Sequence, residues 1–237
     1  MLGRTAGHIL GRLAIYVVIQ VAVIALTQSP TWTAVAGVVT AIPLYLMPGA
    51  SPDDQRMRLP RRRTLVWWTA GLIPVWAIGQ ALAVWIYHTF PDAAFGYDRH
   101  VETLSLSAQT WAIITTVVMA PIIEEILMRG IMYRELRRSA RLPVPLAAVI
   151  SSLVFAVFHG NIVQGGAVFL LGVFLAFAYE YTHSILTPIA LHALFNMLSA
   201  FVPVSLIAPL AVPSIIAVGI FAIVVSLTFV YVLRRRW

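Results

Sequence analysis

Residues 109–130 read QTWAIITTVVMAPIIEEILMRG. From Trp111 to Ile123 the stretch is apolar apart from two threonines. It then carries two adjacent carboxylates, Glu124 and Glu125, and a guanidinium at Arg129. A helix needs about 20 apolar residues to cross a bilayer's hydrocarbon core, and this stretch is long enough. An ionised side chain inside such a span is disfavoured by about 2.5–3.5 kcal/mol on insertion scales, so acids placed there mark a functional site. Neighbouring helical residues point about 100° apart, so the two glutamates cannot face one point. Glu125 stands one helical turn before Arg129, the spacing of an ion pair along one face. Glu124 is thereby left as the carboxylate available for chemistry.

Outward from this stretch the chain repeats the same apolar pattern. Of 237 residues, 60% are hydrophobic and 11% are charged, against about 25% charged in soluble domains. A water-soluble fold of this size has no way to bury so much apolar surface. The sequence predicts an all-α transmembrane bundle of eight spans. They run over Ile9 to Thr27, Trp32 to Met47, Leu65 to Tyr87, Gln109 to Met128, Pro143 to His159, Gln164 to Tyr181, Ile185 to Val202 and Pro213 to Leu233. The first is too long and its far end too polar for a cleaved signal peptide. No repeat or linker divides the chain, so residues 1–237 are expected to form one membrane-embedded domain with a motif-bearing core at about 109–202.

Charge sets the orientation. All 16 basic residues are arginine, and with eight spans every one but Arg99 falls on the same side. By the positive-inside rule both termini are expected in the cytoplasm. The net charge of +7 is thus a topology signal rather than a sign of nucleic-acid binding, and the run Arg61 to Arg63 is placed to meet anionic lipid. With no cysteine, thiolate metal sites and cysteine nucleophiles are excluded. The lysine-free, arginine-only composition suggests a GC-rich bacterial genome, and hence a multi-pass protein of a bacterial plasma membrane.

Polar residues inside the spans cluster. Besides the glutamates they are His159 at the end of the fifth span, and His192 and Asn196 in the seventh. Counted from the arginine-rich side, they lie at depths of roughly 13–20 Å at 1.5 Å per residue, close enough to meet. His192 and Asn196 are one turn apart and share a face, as do Phe155 and His159. Pro121 and Pro188 precede Glu124 and His192, where loss of a backbone hydrogen bond is expected to kink each helix and admit water. Such a constellation can hydrolyse an acyl bond. A carboxylate takes a proton from water, which attacks a carbonyl, while imidazole and amide donors stabilise the oxyanion. The same groups, His159, His192 and Glu124, can instead be read as zinc ligands with an open water position. The zinc-protease pattern of two histidines four apart around a glutamate is absent. The nearest serines, Ser151 and Ser152, lie two turns from His159 and give no reason to assign a serine nucleophile.

Three short runs resemble a known family. Glu124-Glu125-Ile126-Leu127-Met128-Arg129 resembles the EExxxR motif of the CPBP family, which comprises CAAX-type proteases and bacteriocin-processing membrane proteins. Phe155-Ala156-Val157-Phe158-His159 resembles its FxxxH motif, and His192-Ala193-Leu194-Phe195-Asn196 its HxxxN motif. All three occur in the family's order. The resemblance implies an eight-helix endopeptidase whose cavity opens to the cytoplasm. Glu124 would activate the water, His159 and His192 would hold it or stabilise the transition state, and Asn196 would contact the oxyanion. Glu125, Arg129 and Phe155 would shape the site. Zinc stays open under the resemblance, because members have been discussed both as metalloproteases and as metal-independent glutamate proteases.

The expected partner is a membrane-associated peptide or protein, with no nucleic acid. Two other functions use the same residues. Buried Glu and His also mark transporters and proton relays, but the inverted repeat or paired broken helices that would favour that reading are missing. A non-catalytic scaffold or immunity protein on the same fold is the third reading, since fold does not fix function. The intact Glu/His/His/Asn set argues against it.

Overall fold

The computed structural model describes residues 2–47, 60–90, 92 and 109–202. Every regular element among them is helical. Helix α1 spans Leu2–Thr27, α2 Pro30–Leu46 and α3 Arg62–Thr89. Residues 109–138 form one rod, α4, in which α-helical turns alternate with two π-helical stretches, Ile114–Met119 and Ile126–Tyr133. Then come α5 (Val144–Phe158), α6 (Ile162–Thr182) and α7 (Leu186–Phe201).

Local chemistry sets the boundaries. Gln28 takes a left-handed φ of 49° between α1 and α2. Ser29 then caps α2 by accepting from the Trp32 N–H, and Pro30 occupies the first turn, where its missing N–H breaks no bond. Between α5 and α6, Gly160 adopts φ 69°, and Asn161 caps α6 by accepting from the Gln164 N–H at 2.7 Å.

Among the described residues, four helical stretches are long and apolar enough to cross a membrane: Gly7–Thr27, Arg62–Thr89, Thr110–Arg138 and Ile162–Thr182. Helices α2, α5 and α7, each read from the sequence as a span, are apolar but shorter. The eighth span, Pro213 to Leu233, lies outside the described residues, as do Arg56, Arg58, Arg99 and Arg234 to Arg236. One boundary differs from expectation. The fourth span was expected to end at Met128, with Arg129, Arg134, Arg137 and Arg138 between it and the fifth, and the α4 helix continues through Arg138. The extension is possible because its charges have partners in neighbouring helices. Arg12 of α1 lies 3.5 Å from Glu135, Arg134 stacks over the Tyr45 ring of α2, and Arg137 meets Glu180 of α6 at 2.6 Å. Arg12, Arg129 and Arg134 are buried, the first two in ion pairs and the third against Tyr45, so they are interior groups and not only markers of a membrane face.

The polarity of the bundle is inverted relative to a soluble protein. Val18, Leu26, Trp67, Val157 and Phe158 face outward, while Glu125, Arg129, Arg134 and Glu135 are buried. Helix α6 is the hub. One face joins α2, α4 and α5 in a core built on Tyr45, Ile131, Tyr133, Phe155 and Ala176. The opposite face packs Leu171, Leu175 and Ala178 against Trp68, Leu72 and Trp76 of α3, with Leu191 and Phe195 of α7. Close approach of α5 and α6 depends on Gly172. A Cβ there would lie 2.8 Å from the Cβ of Ser152 and 3.2 Å from Nη2 of Arg129.

Candidate active site

The two glutamates separate as the helical spacing requires. Glu125 points into the bundle and is fully buried, and its Oε1 accepts from Nη1 of Arg129 at 2.8 Å. Arg129 also donates from Nη2 to the carbonyl of Gly172 at 2.8 Å and lies 5.1 Å over the Phe155 ring. A lone buried ion pair is poorly compensated for desolvation; these extra contacts are what a stable one requires. Glu124 points elsewhere, and 31% of its side chain remains exposed.

His192 joins the two carboxylates. Its Nδ1 lies 2.8 Å from Glu125 Oε1 and its Nε2 lies 3.7 Å from Glu124 Oε2. An ionised Glu125 can only accept, so Nδ1 carries the proton and donates, which leaves the Nε2 lone pair facing Glu124. His159 is oriented in the same way. It caps the C-terminus of α5, and its Nδ1 donates to the carbonyl of Phe155 at 2.9 Å, which frees its Nε2. Both imidazoles lie within electrostatic range of Glu124. The Phe155 ring stands edge-on to each, 4.8 Å from His159 and 5.7 Å from His192 between centroids. Phe155 is therefore the spacer that fixes both rings and the Arg129 guanidinium.

Asn196 is anchored by a defect in α4. In the π-helical register the Ala120 N–H bonds back to the Thr115 carbonyl. The next donor in that register would serve the Thr116 carbonyl, but it belongs to Pro121, which has no N–H. Nδ2 of Asn196 fills the gap, donating to the Thr116 carbonyl at 2.9 Å. Pro121 thus frees a backbone group beside the site, and Asn196 takes it up. Pro188 does not. It is the third residue of α7, a first-turn position where its N–H would have no intrahelical partner, so it removes no bond there.

All of Glu124, Glu125, Arg129, Phe155, His159, His192 and Asn196 thus gather where α4, α5 and α7 meet. Sequence reasoning missed three contributors. Thr116 and Gly172 act through backbone carbonyls and carry no side-chain signature. Tyr16 of α1 comes to the Gly37 notch beside Ile123, the residue before Glu124, and its only signal was a hydroxyl in an aliphatic span. Zinc held by His159, His192 and Glu124 would suit the two free Nε2 atoms. Among the described residues, however, no three His, Asp or Glu side chains come together as a metal ligand set requires.

No curated protein matches the chain. The segment that holds every one of these motif residues, 106–198, matches the family model of the type II CAAX prenyl endopeptidase Rce1-like proteins, the kind of protein that the three motifs resemble.

Proposed function

We propose that the chain is an intramembrane endopeptidase in which Glu124 activates a water for attack on a peptide carbonyl. The observation that carries the reading is the two-sided contact of His192. Its 3.7 Å separation from Glu124 is too long for a direct hydrogen bond. It is right for a water at the apex of a triangle, about 2.8 Å from each atom. Such a water gives one O–H to the Glu124 carboxylate and the other to Nε2 of His192, and its lone pair faces the substrate. Glu124 takes the proton as the C–O bond forms and returns it to the amine as the C–N bond breaks. Asn196 spends one of its two amide N–H groups on Thr116, so the other is available to the developing oxyanion. His159 holds the opposite wall of the water site. Glu125 and Arg129 fix the His192 tautomer and do not touch the reacting atoms.

The eight-span arrangement, with both termini and the cavity mouth on the cytoplasmic side of a bacterial plasma membrane, belongs to the same proposal. The one-sided arginines support it. Substrates then reach Glu124 from the cytoplasm or from within the bilayer. The test is cleavage of prenylated and unprenylated membrane peptides by purified wild type and Glu124→Ala, each with and without a zinc chelator. Loss of about 10²–10⁴-fold in Glu124→Ala is expected. Wild-type cleavage that survives chelation supports carboxylate-activated water, and cleavage abolished by chelation assigns the water to zinc. Undiminished cleavage by Glu124→Ala overturns the proposal.

A further inference from the structure

The motif residues all lie between positions 124 and 196, yet α1 brings a side chain, Tyr16, close to Ile123, the neighbour of Glu124. In that helix His8, Arg12, Tyr16 and Gln20 recur at every fourth position of an otherwise aliphatic run. Residues so spaced fall on one face. Arg12 and Gln20 are buried and Tyr16 is half-buried, whereas Ile15, Val17, Val18 and Val21 face outward. His8 is exposed, and the stripe from Arg12 to Gln20 is turned toward the bundle.

Tyr16 is the member of this stripe that reaches the site. Its hydroxyl lies over Gly37 of α2, where an added Cβ would be 3.1 Å from the hydroxyl oxygen and 2.7 Å from Cδ1 of Ile123, the residue before Glu124. Gly37 thus opens the notch through which α1 presents a phenol to α4. The hydroxyl is within electrostatic range of Glu124, and among the described residues it makes no hydrogen bond. His192 faces Glu124 from α7, on another helix. A peptide drawn into this space arrives with unpaired backbone N–H and C=O groups, and within a membrane such groups must find partners in the protein.

We propose that Tyr16 is a substrate-positioning residue whose hydroxyl hydrogen-bonds the backbone of the bound peptide on the α1 side of Glu124. The inference rests on the endopeptidase reading, but its test separates the two. Binding of a fluorescent prenylated CAAX peptide is measured to detergent-solubilised Glu124→Ala protein, which is not expected to turn it over, and to Glu124→Ala/Tyr16→Phe. The phenylalanine keeps the ring and removes only the hydroxyl. One lost hydrogen bond is expected to weaken Kd about five- to tenfold. In the catalytically intact background, Tyr16→Phe should raise KM by a similar factor, with kcat within about twofold and an unchanged Tm. An unchanged Kd, a fall in Tm, a drop in kcat at constant KM, or no binding of the peptide by the parent each overturns the assignment. Cleavage retained by Glu124→Ala would instead count against Glu124 as the base.

Discussion

The substitution Gly172→Ala tests whether the site is set by how closely α5 and α6 approach. The new methyl would sit 2.8 Å from both the Cβ and the Oγ of Ser152. That is about 1 Å inside ordinary carbon–carbon contact. Ser152 Cβ is tied directly to the α5 backbone, so relief requires one helix to move. The same methyl would lie 3.2 Å from Nη2 of Arg129, the atom that donates to the Gly172 carbonyl at 2.8 Å. Moving α6 away therefore loosens Arg129, then Glu125, then Nδ1 of His192.

Overpacking of this kind typically costs about 1–3 kcal/mol, and for a chain of this length about 2 kcal/mol lowers Tm by roughly 4–8 °C. Thermal unfolding in detergent, followed by circular dichroism, reads the first effect, and peptide cleavage reads the second. Ser152→Gly in the Gly172→Ala background removes both clashing atoms and should recover most of the loss, with a coupling of about 1 kcal/mol or more. A Gly172→Ala protein with wild-type Tm and wild-type cleavage would refute the reasoning. So would a double variant no better than Gly172→Ala alone.

Arg129→Met leaves Glu125 buried and unpaired, so a loss of about 3–5 kcal/mol and of all cleavage is expected by thermal unfolding and activity assay. Glu124→Gln, by contrast, should keep the wild-type Tm and lose only cleavage, because the side chain is partly exposed and anchors nothing. Pro121→Ala restores an N–H able to serve the Thr116 carbonyl and should free Asn196, lowering kcat about tenfold without lowering Tm. Asn196→Ala removes the oxyanion donor outright and should lower kcat about 10²–10³-fold in the same assay. Gly130→Ala would place a methyl 2.6 Å from the Tyr45 ring, and a fall in Tm of several degrees is expected.

What the sequence made legible is what side-chain chemistry and periodicity encode. The division between Glu124 and Glu125, the Glu125–Arg129 pair and the shared neighbourhood of His159, His192 and Asn196 all follow from helical spacing and the rarity of polar groups in spans. The length of α4 does not. Its arginines look like a loop until Arg12, Tyr45 and Glu180 appear beside them, and those partners lie tens of residues away in sequence. Thr116 and Gly172 were hidden for another reason: they contribute carbonyl oxygens, which every residue has. Pro188 was misread because a proline's effect depends on which helical turn it occupies, and the start of α7 is marked only weakly, with no side-chain cap.

The adjacency of the two glutamates is then a mechanical device. One helix position apart, they diverge by about 100°, so a single turn supplies both an inward anchor and a partly exposed carboxylate, the base of the proposed mechanism. His192 reaches from α7 to touch the first with Nδ1 and to face the second with Nε2, and so converts a buried ion pair into the orientation of a ring. Glu125 shifted by one residue would leave that ring without its acceptor and Arg129 without its counter-charge. In the mechanism proposed above, Glu124 can stay clear of Arg129 because its neighbour Glu125 takes the structural load. Glu125→Gln should for that reason abolish cleavage through His192 while Glu124 itself is untouched. Imidazole NMR would report the change as loss of the fixed Nδ1–H tautomer of His192, and a variant that stayed active with that tautomer lost would break the link between the two carboxylates.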